Sequence, residues 1–228
     1  MSTKTTLETA SVLGTEVPEG ASLAEQVYLN LRDRIVTLQL APGSLINEPT
    51  VMSELGVSRT PIREALLRLA LEKLVSVVPR RGTFVSEVNV GNVGQIYEFR
   101  RELEELTAAW AAERRPDSAV DEIDAMIEEL EGFGPDEEPR AMIAADQRAH
   151  RLTYRLANNP YLTETLTLYY FLALRIWFLA DSRGSGLGGP HETLIDVLKA
   201  VREKDPEAAR QAARAHNQVA ESAVREGL

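Results

Sequence analysis

Residues 53–64 read Ser-Glu-Leu-Gly-Val-Ser-Arg-Thr-Pro-Ile-Arg-Glu, and no other stretch of the chain restricts the fold as strongly. A short apolar helix runs into a glycine, and Ser58, Arg59 and Thr60 then open a second helix that carries Arg63 one turn later. Glycine at such a junction supplies the left-handed backbone that lets two helices meet across a tight turn. The leading turn of the second helix presents hydroxyls, free backbone N–H groups and guanidinium groups, as a helix-turn-helix does when it enters a DNA major groove. Arg59 and Arg63 are four residues apart and share a face, where a guanidinium can grip guanine O6 and N7 through two hydrogen bonds. Ser58 and Thr60 suit phosphate oxygens. The plainer alternative is a capped surface helix with salt bridges to Glu64.

The flanking pattern favours the first reading. Ser22 can cap a helix whose apolar repeat is Val27, Leu31, Ile35 and Leu38, ended by Ala41-Pro42-Gly43. Pro49–Leu55 and Ser58–Lys73 supply the two helices of the motif, the second turning Ile62, Ala65, Leu66 and Leu69 inward. The period then changes. Val75–Pro79 and Thr83–Ser86 read as strands joined by Arg80-Arg81-Gly82, so residues 21–88 form a winged helix. Arg81 and Gly82 fall at the wing tip, where arginine can reach a minor groove and glycine lets the backbone approach. Residues 1–20, without periodicity, read as a flexible tail.

From Val90 onward the pattern is helical throughout, over approximately 90–114, 117–131, 139–157, 161–181, 190–204 and 206–226. The breaks are Pro116, Gly132–Pro135, Asn158-Asn159-Pro160, Gly184–Pro190 and Asp205-Pro206, the last a cap followed by proline in the first turn. Gly184–Gly189 has neither a lysine nor a preceding strand, which argues against a phosphate-binding loop. The fold class is therefore mainly α: an N-terminal winged helix-turn-helix, and over residues 89–228 an all-α bundle of about six helices.

Charge sharpens the division. The chain of 228 residues carries −10 overall, yet residues 21–88 hold eight Arg or Lys against seven Asp or Glu. The acidity lies almost wholly in the helical half and keeps it off DNA by repulsion. With no cysteine, disulfides and thiolate metal sites are excluded and a reducing, cytoplasmic setting is expected. No export signal is visible, and the most apolar stretch, Tyr169–Ala180, is too short to span a bilayer and contains Arg175.

All three histidines lie in the helical half. His150 follows Asp146 by four and shares its face, on a stripe with Ile143. His191 leads the stripe Leu194, Ile195, Leu198, and His216 sits among Ala209, Ala212, Ala213, Val219 and Ala223. Three inward histidines and an inward aspartate on three helices suit a divalent metal, with zinc favoured and nickel, manganese or iron admissible. Three separate hydrogen-bonded core histidines remain the alternative. Arg100 falls on the inward face of its helix with Val93, Ile96, Leu103, Thr107 and Trp110, so it requires a buried anion. That anion is Asp146, a glutamate, or the carboxylate of a small effector.

Val57–Leu66, preceded by Leu40-Ala-Pro-Gly-Ser-Leu45 and followed by Arg80-Arg81-Gly82-Thr-Phe-Val85, resembles the GntR family of bacterial transcription regulators. The resemblance implies that Arg59, Thr60, Arg63 and the Gly82 wing touch an operator. Some relatives carry an arginine on the helix before the turn, where this chain has Pro49. The helical half resembles the FadR C-terminal (FCD) ligand-binding domain through Glu98–Glu104, Asp146-x3-His150 with Asn159-Pro-Tyr-Leu162, His191-x2-Leu-Ile and Asp205…His216. That resemblance implies a metal on Asp146, His150, His191 and His216, with a small organic acid at Arg100. An ungapped alignment from the C-terminal side would instead put Leu194 in the place of His191; the stripe phase favours His191.

These readings together describe a non-enzymatic, homodimeric regulator of double-stranded operator DNA, a repressor released by its effector. Two rivals are a regulator answering to the metal alone, and a metal-dependent hydrolase using Glu102, Glu104 or Glu192 as base.

Overall fold

The computed structural model describes residues 13, 17–134, 139–182 and 191–228. Most of the N-terminal tail, Pro135 and the segment Gly184–Pro190 lie outside the described residues. The chain divides after Val88 into two compact units.

In the first unit, α1 (Leu23–Val36) begins where Ser22 Oγ accepts the Glu25 N–H at 3.1 Å. Leu38 does not continue the helical stripe as expected. The helix stops at Thr37, and Leu38 takes a φ of 61° as its N–H turns back to the Ile35 carbonyl. Asn47 caps α2 (Glu48–Leu55), with Pro49 in the first turn, where its missing N–H costs no helical bond. Gly56 ends it at φ 62°, and α3 (Arg59–Leu71) follows. Ser58 is the cap residue of α3 by backbone geometry, but its side chain makes no capping hydrogen bond. α1 lies along α3, and Val27, Leu31, Ile35, Val51, Leu55, Ile62 and Leu69 fill the space between the three helices.

β1 (Val75–Val78) pairs antiparallel with β2 (Gly82–Val85), Val75 opposite Val85 and Val78 opposite Gly82. Both strands are displaced slightly from the expected limits. Pro79 ends the first because it has no N–H for the ladder. Gly82 opens the second at φ 112°, where a Cβ would come 2.9 Å from Leu45 Cδ1. Residues 43–46, of which only Gly43 belongs to the turn expected at Ala41-Pro42-Gly43, run beside β2. Val85 N–H bonds to the Ser44 carbonyl at 2.9 Å and Ile46 N–H to the Thr83 carbonyl at 2.9 Å, with Leu45 opposite Phe84.

The second unit begins with a 3₁₀ turn (Val90–Asn92) leading into α4 (Val93–Arg114). A second 3₁₀ turn (Asp117–Ala119) leads into α5 (Val120–Glu131), followed by α6 (Pro139–Leu156), α7 (Pro160–Asp181), α8 (His191–Arg202) and α9 (Pro206–Gly227). The mainly α class with a winged helix-turn-helix and a helical bundle is thus the observed fold. Asn159 and Asp205 cap α7 and α9 by accepting two backbone N–H groups each. Arg115 closes the end of α8 by donating to the Val201 carbonyl at 3.0 Å, and Arg114 donates to the Ala157 carbonyl beyond α6.

α4 is the axis of the bundle, in contact with α6, α7, α8 and α9. Its buried stripe is Val93, Tyr97, Arg100, Glu104, Ala108 and Ala111, rotated by one residue from the expected one. Ile96, Leu103 and Trp110 are only half-buried. Alanines decide the phase: Ala108, Ala111 and Ala112 on α4 face Ala145 and Ala149 on α6 and Ala209 and Ala213 on α9, allowing close helix approach. On α9, Val219 is 45 % exposed and the buried positions are Ala209, Ala213, His216, Asn217 and Val224.

A Cβ at Gly56 would meet nothing within 4 Å. Gly56→Ala therefore isolates the backbone cost of the left-handed turn, and chemical denaturation should show a loss of about 1 kcal/mol. An unchanged midpoint would mean that the turn relaxes to another geometry.

Candidate functional site

Two groups of side chains meet the chemistry sought from the sequence, one in each unit. In the first unit, salt bridges hold three arginines: Arg32 to Asp33, Arg34 to Glu54, and Arg68 to Glu25 and Glu72. The arginines at the start of α3 are different. Arg59 and Arg63 are 57 % and 66 % exposed, and neither guanidinium makes a hydrogen bond among the described residues. The expected alternative partner, Glu64, does not hold them. Glu48 of α2 lies 3.9 Å from the Nε of each, at the limit of an ion pair and weak in exposed surroundings. Ser58, Thr60, Arg81 and Gly82 are exposed, and among the described residues nothing hydrogen-bonds to the hydroxyls of Ser58 and Thr60. The helix start and the wing tip thus carry donors that intramolecular bonding has not consumed.

In the second unit, Asp146 and His150 of α6 and His216 of α9 bring one ligand atom each within 4.8 Å of one another. The two histidine Nε2 atoms lie 3.3 Å apart, and His150 Nε2 is 3.7 Å from Asp146 Oδ2. Two nitrogens bound to one tetrahedral zinc at about 2.0–2.1 Å are themselves about 3.3 Å apart, so the ring pair fits a shared divalent ion. His191 is not part of the group. It opens α8 half-buried, its ring edge-on to Phe133. Helical phase brought its stripe inward, but the first residue of α8 lies at the rim of that stripe. The alternative position, Leu194, is fully buried in the apolar core and offers no ligand atom. From α8 it is Thr193 that reaches the site, its Oγ1 3.1 Å from His216 Nδ1.

Hydrogen bonding around the pair assigns a tautomer. The Tyr154 hydroxyl donates to Glu104 Oε1 at 2.8 Å, so toward His150 Nδ1, at 3.4 Å, its oxygen can only accept. His150 then carries its proton on Nδ1 and leaves Nε2 as a bare lone pair, the form that binds metal. Burial and then Glu104 raise the Tyr154 hydroxyl well above the usual phenol range, which keeps that proton in place.

Arg100 is the residue whose partner the sequence left open, and the structure supplies Glu104. Nε and Nη2 both donate to Glu104 Oε1, at 3.0 and 2.8 Å, with both side chains about 5 % exposed. Burial alone would raise the Glu104 carboxyl. Arg100, His150 and His216 outweigh it and bring the carboxyl down to about 2. Glu104 Oε2 accepts from Asn217 Nδ2 at 2.7 Å. Among the described residues nothing takes up Arg100 Nη1. Sequence reasoning missed Tyr154 and Asn217; the only trace of Asn217 is its place directly after an inward histidine.

Residues 95–219 match the FCD domain family, and residues 23–85 match the bacterial regulatory proteins of the gntR family. A Streptomyces ambofaciens protein, an uncharacterized HTH-type transcriptional regulator in an unstable DNA locus, is 43 % identical over 101 residues, 44 % of this chain. The match spans only 42 % of that relative's length. The solved structure of Escherichia coli McbR/YncC, an HTH-type transcriptional regulator, superposes with a TM-score of 0.79 at 25 % identity, covering 90 % of this chain and 98 % of the other. The galactonate operon transcriptional repressor of E. coli is 27 % identical over 213 residues, 83 % of this chain and 91 % of that protein. These relatives are regulators, not enzymes.

Two outcomes follow for the histidine pair. His150→Ala should reduce co-purified zinc to background and remove the stabilisation that added metal gives to thermal unfolding; wild-type metal content in the variant would refute the site. Burial, with His150, lowers His216 to about 4 from 6.5. Between pH 6.5 and 4 the unfolded chain binds a proton that folded His216 refuses, so the stability of metal-stripped protein should fall as pH drops through that window. His216→Asn should flatten that slope, and an equal slope in both proteins would contradict the assignment.

Proposed function

The chain belongs to the GntR family of bacterial transcription regulators and carries an FCD domain, and from that premise we propose that it is an effector-responsive repressor. In this reading residues 21–88 bind DNA, and residues 89–228 form the effector, metal-binding and dimerisation domain. Two copies contact the half-sites of a pseudo-palindromic operator in the cytoplasm. Arg59 and Arg63 read base edges, Ser58 and Thr60 hold phosphates, and Arg81 with Gly82 engages the adjacent groove. Among the described residues no helix is long and apolar enough to cross a membrane.

The observation that carries the effector reading is the open Nη1 of buried Arg100 beside three metal donors. A guanidinium in a buried site attracts a carboxylate strongly, and zinc, or nickel, manganese or iron, held by Asp146, His150 and His216 would supply further positive charge for an acid. His191 stays outside this donor set. One full-length relative is named for galactonate, itself a small carboxylate, which agrees in class. Binding of the acid would bias the bundle between two arrangements and so lower operator affinity.

A second reading has its own observation. Glu104 already neutralises Arg100, so a site without any organic ligand is electrostatically complete, and the metal alone can then be the signal. Hydrolysis is disfavoured: Glu104, one of the expected bases, is held at about 2 and takes no proton at neutral pH.

The test is operator selection from random duplex followed by competition. Arg59→Ala should lose about 1–3 kcal/mol of discrimination at the contacted base pair while its non-specific binding stays strongly salt-dependent. Zinc-loaded wild type should release the operator when small organic acids are added. Release by metal alone, with no response to any acid, would establish the second reading instead.

A further inference from the structure

α3 exposes more surface than base reading uses. Its buried face is Pro61, Ile62, Ala65, Leu66 and Leu69, and Arg59 and Arg63 share one exposed row. About a quarter-turn away a second row runs through Thr60, Glu64, Leu67 and Leu71, spaced four, three and four residues apart and exposed throughout. Leu67 is 64 % exposed and Leu71 77 %, the two most exposed leucines among the described residues. A lone exposed leucine is ordinary, but two on successive turns of one stripe form an apolar patch of the kind that marks an interaction surface.

The stripe is complementary to itself. If two copies of α3 pack antiparallel with Leu67 of one opposite Leu71 of the other, the two-fold axis passes at the level of Leu69 and every contact occurs twice. Glu64 of each copy then lies opposite the residues that follow Leu71 in the other, where Lys73 stands just past the end of the helix. Both are exposed, and neither side chain makes an ion pair or hydrogen bond among the described residues. Arg68, beside the stripe, is already held by Glu25 and Glu72. The same register sets the distance between the reading ends. Arg59 lies ten residues from Leu69, so at about 1.5 Å per residue the two Arg59 positions point away from each other about 30 Å apart along the helices. Successive half-sites on one face of DNA are about 34 Å apart.

We propose that the Glu64–Leu67–Leu71 stripe is an interface with a second copy of this chain, the α3 helices of two DNA-binding units packing antiparallel while their leading turns enter neighbouring stretches of major groove. This goes beyond dimerisation through the helical unit and rests on the homodimer reading above.

The chain has no cysteine, so introduced thiols report this contact alone. Full-length Leu67→Cys/Leu71→Cys protein is oxidised with copper phenanthroline at low concentration, free and on the selected operator duplex, and run on a non-reducing gel. Packed antiparallel helices bring facing residues within disulfide range, so on the duplex most of the double variant should become a covalent dimer. Each single variant should stay uncross-linked, because like residues are offset by about 6 Å along the axis in addition to the gap between the helices. Cross-linking of either single variant would overturn the antiparallel register, and no cross-link in the double variant, free or on DNA, would overturn the interface. Leu67→Ser/Leu71→Ser, which spares the core, should bind the complete operator about tenfold more weakly and a single half-site unchanged. Equal loss on both duplexes would place the leucines against DNA and refute the contact between copies. Native mass spectrometry of wild type on the operator separates the two levels. One copy per operator would refute the homodimer reading itself, whereas two copies without the cross-link would refute the α3 contact alone.

Discussion

The helical unit is organised around a carboxylate that could not be there alone. Glu104 is 5 % exposed in the middle of α4, where an isolated anion would be strongly unfavourable. Arg100, one turn earlier, neutralises it, and the remaining acceptor capacity is taken by Tyr154 from α6 and Asn217 from α9. Three helices are thereby tied to one side chain. The Tyr154 link then fixes the proton of His150, so the state of the histidine pair follows from how the buried ion pair is solvated by protein. Removing either charge would leave the other uncompensated, so the arrangement demands its own geometry more than it adds stability.

The two units use arginine in opposite ways. In the bundle Arg100 and Arg115 are buried and spend their donors on carboxylate and carbonyl oxygens inside the fold. At the head of α3 and the wing tip the guanidinium groups project into solvent, without hydrogen bonds among the described residues. Uncommitted donors on a rigid helix cost little reorganisation when an anionic partner arrives, which suits a surface meant for a polyanion. Among the described residues Glu48 is the acidic group that comes within 4 Å of them, and at 3.9 Å it restrains both arginines weakly.

Much of this architecture was legible from residue order. Gly56, the cap at Asp205 and the change of period at Val75 each act through local backbone chemistry, and local chemistry is what a sequence displays. The pairing of residues 43–46 with β2 was not legible, because four residues with no alternation carry no strand signal. Leu38 was misjudged for a related reason: apolar spacing continued one residue after the hydrogen-bonded helix had stopped. The metal donors show the same boundary. Asp146 and His150 lie four apart on one helix and declared themselves; His191 matched the phase of its helix yet sits beyond the group.

The sequence by itself determined the elements, their order and the residue types available to each site, since capping, turn conformation and amphipathic period depend on neighbours a few positions away. Only the tertiary structure decided which inward residues meet. It rotated the buried stripe of α4 onto Tyr97 and Glu104, gave Arg100 its partner and set His150 against His216. Those outcomes depend on how closely alanine-lined helices approach and at what rotation, a property of packed pairs that no single helix encodes.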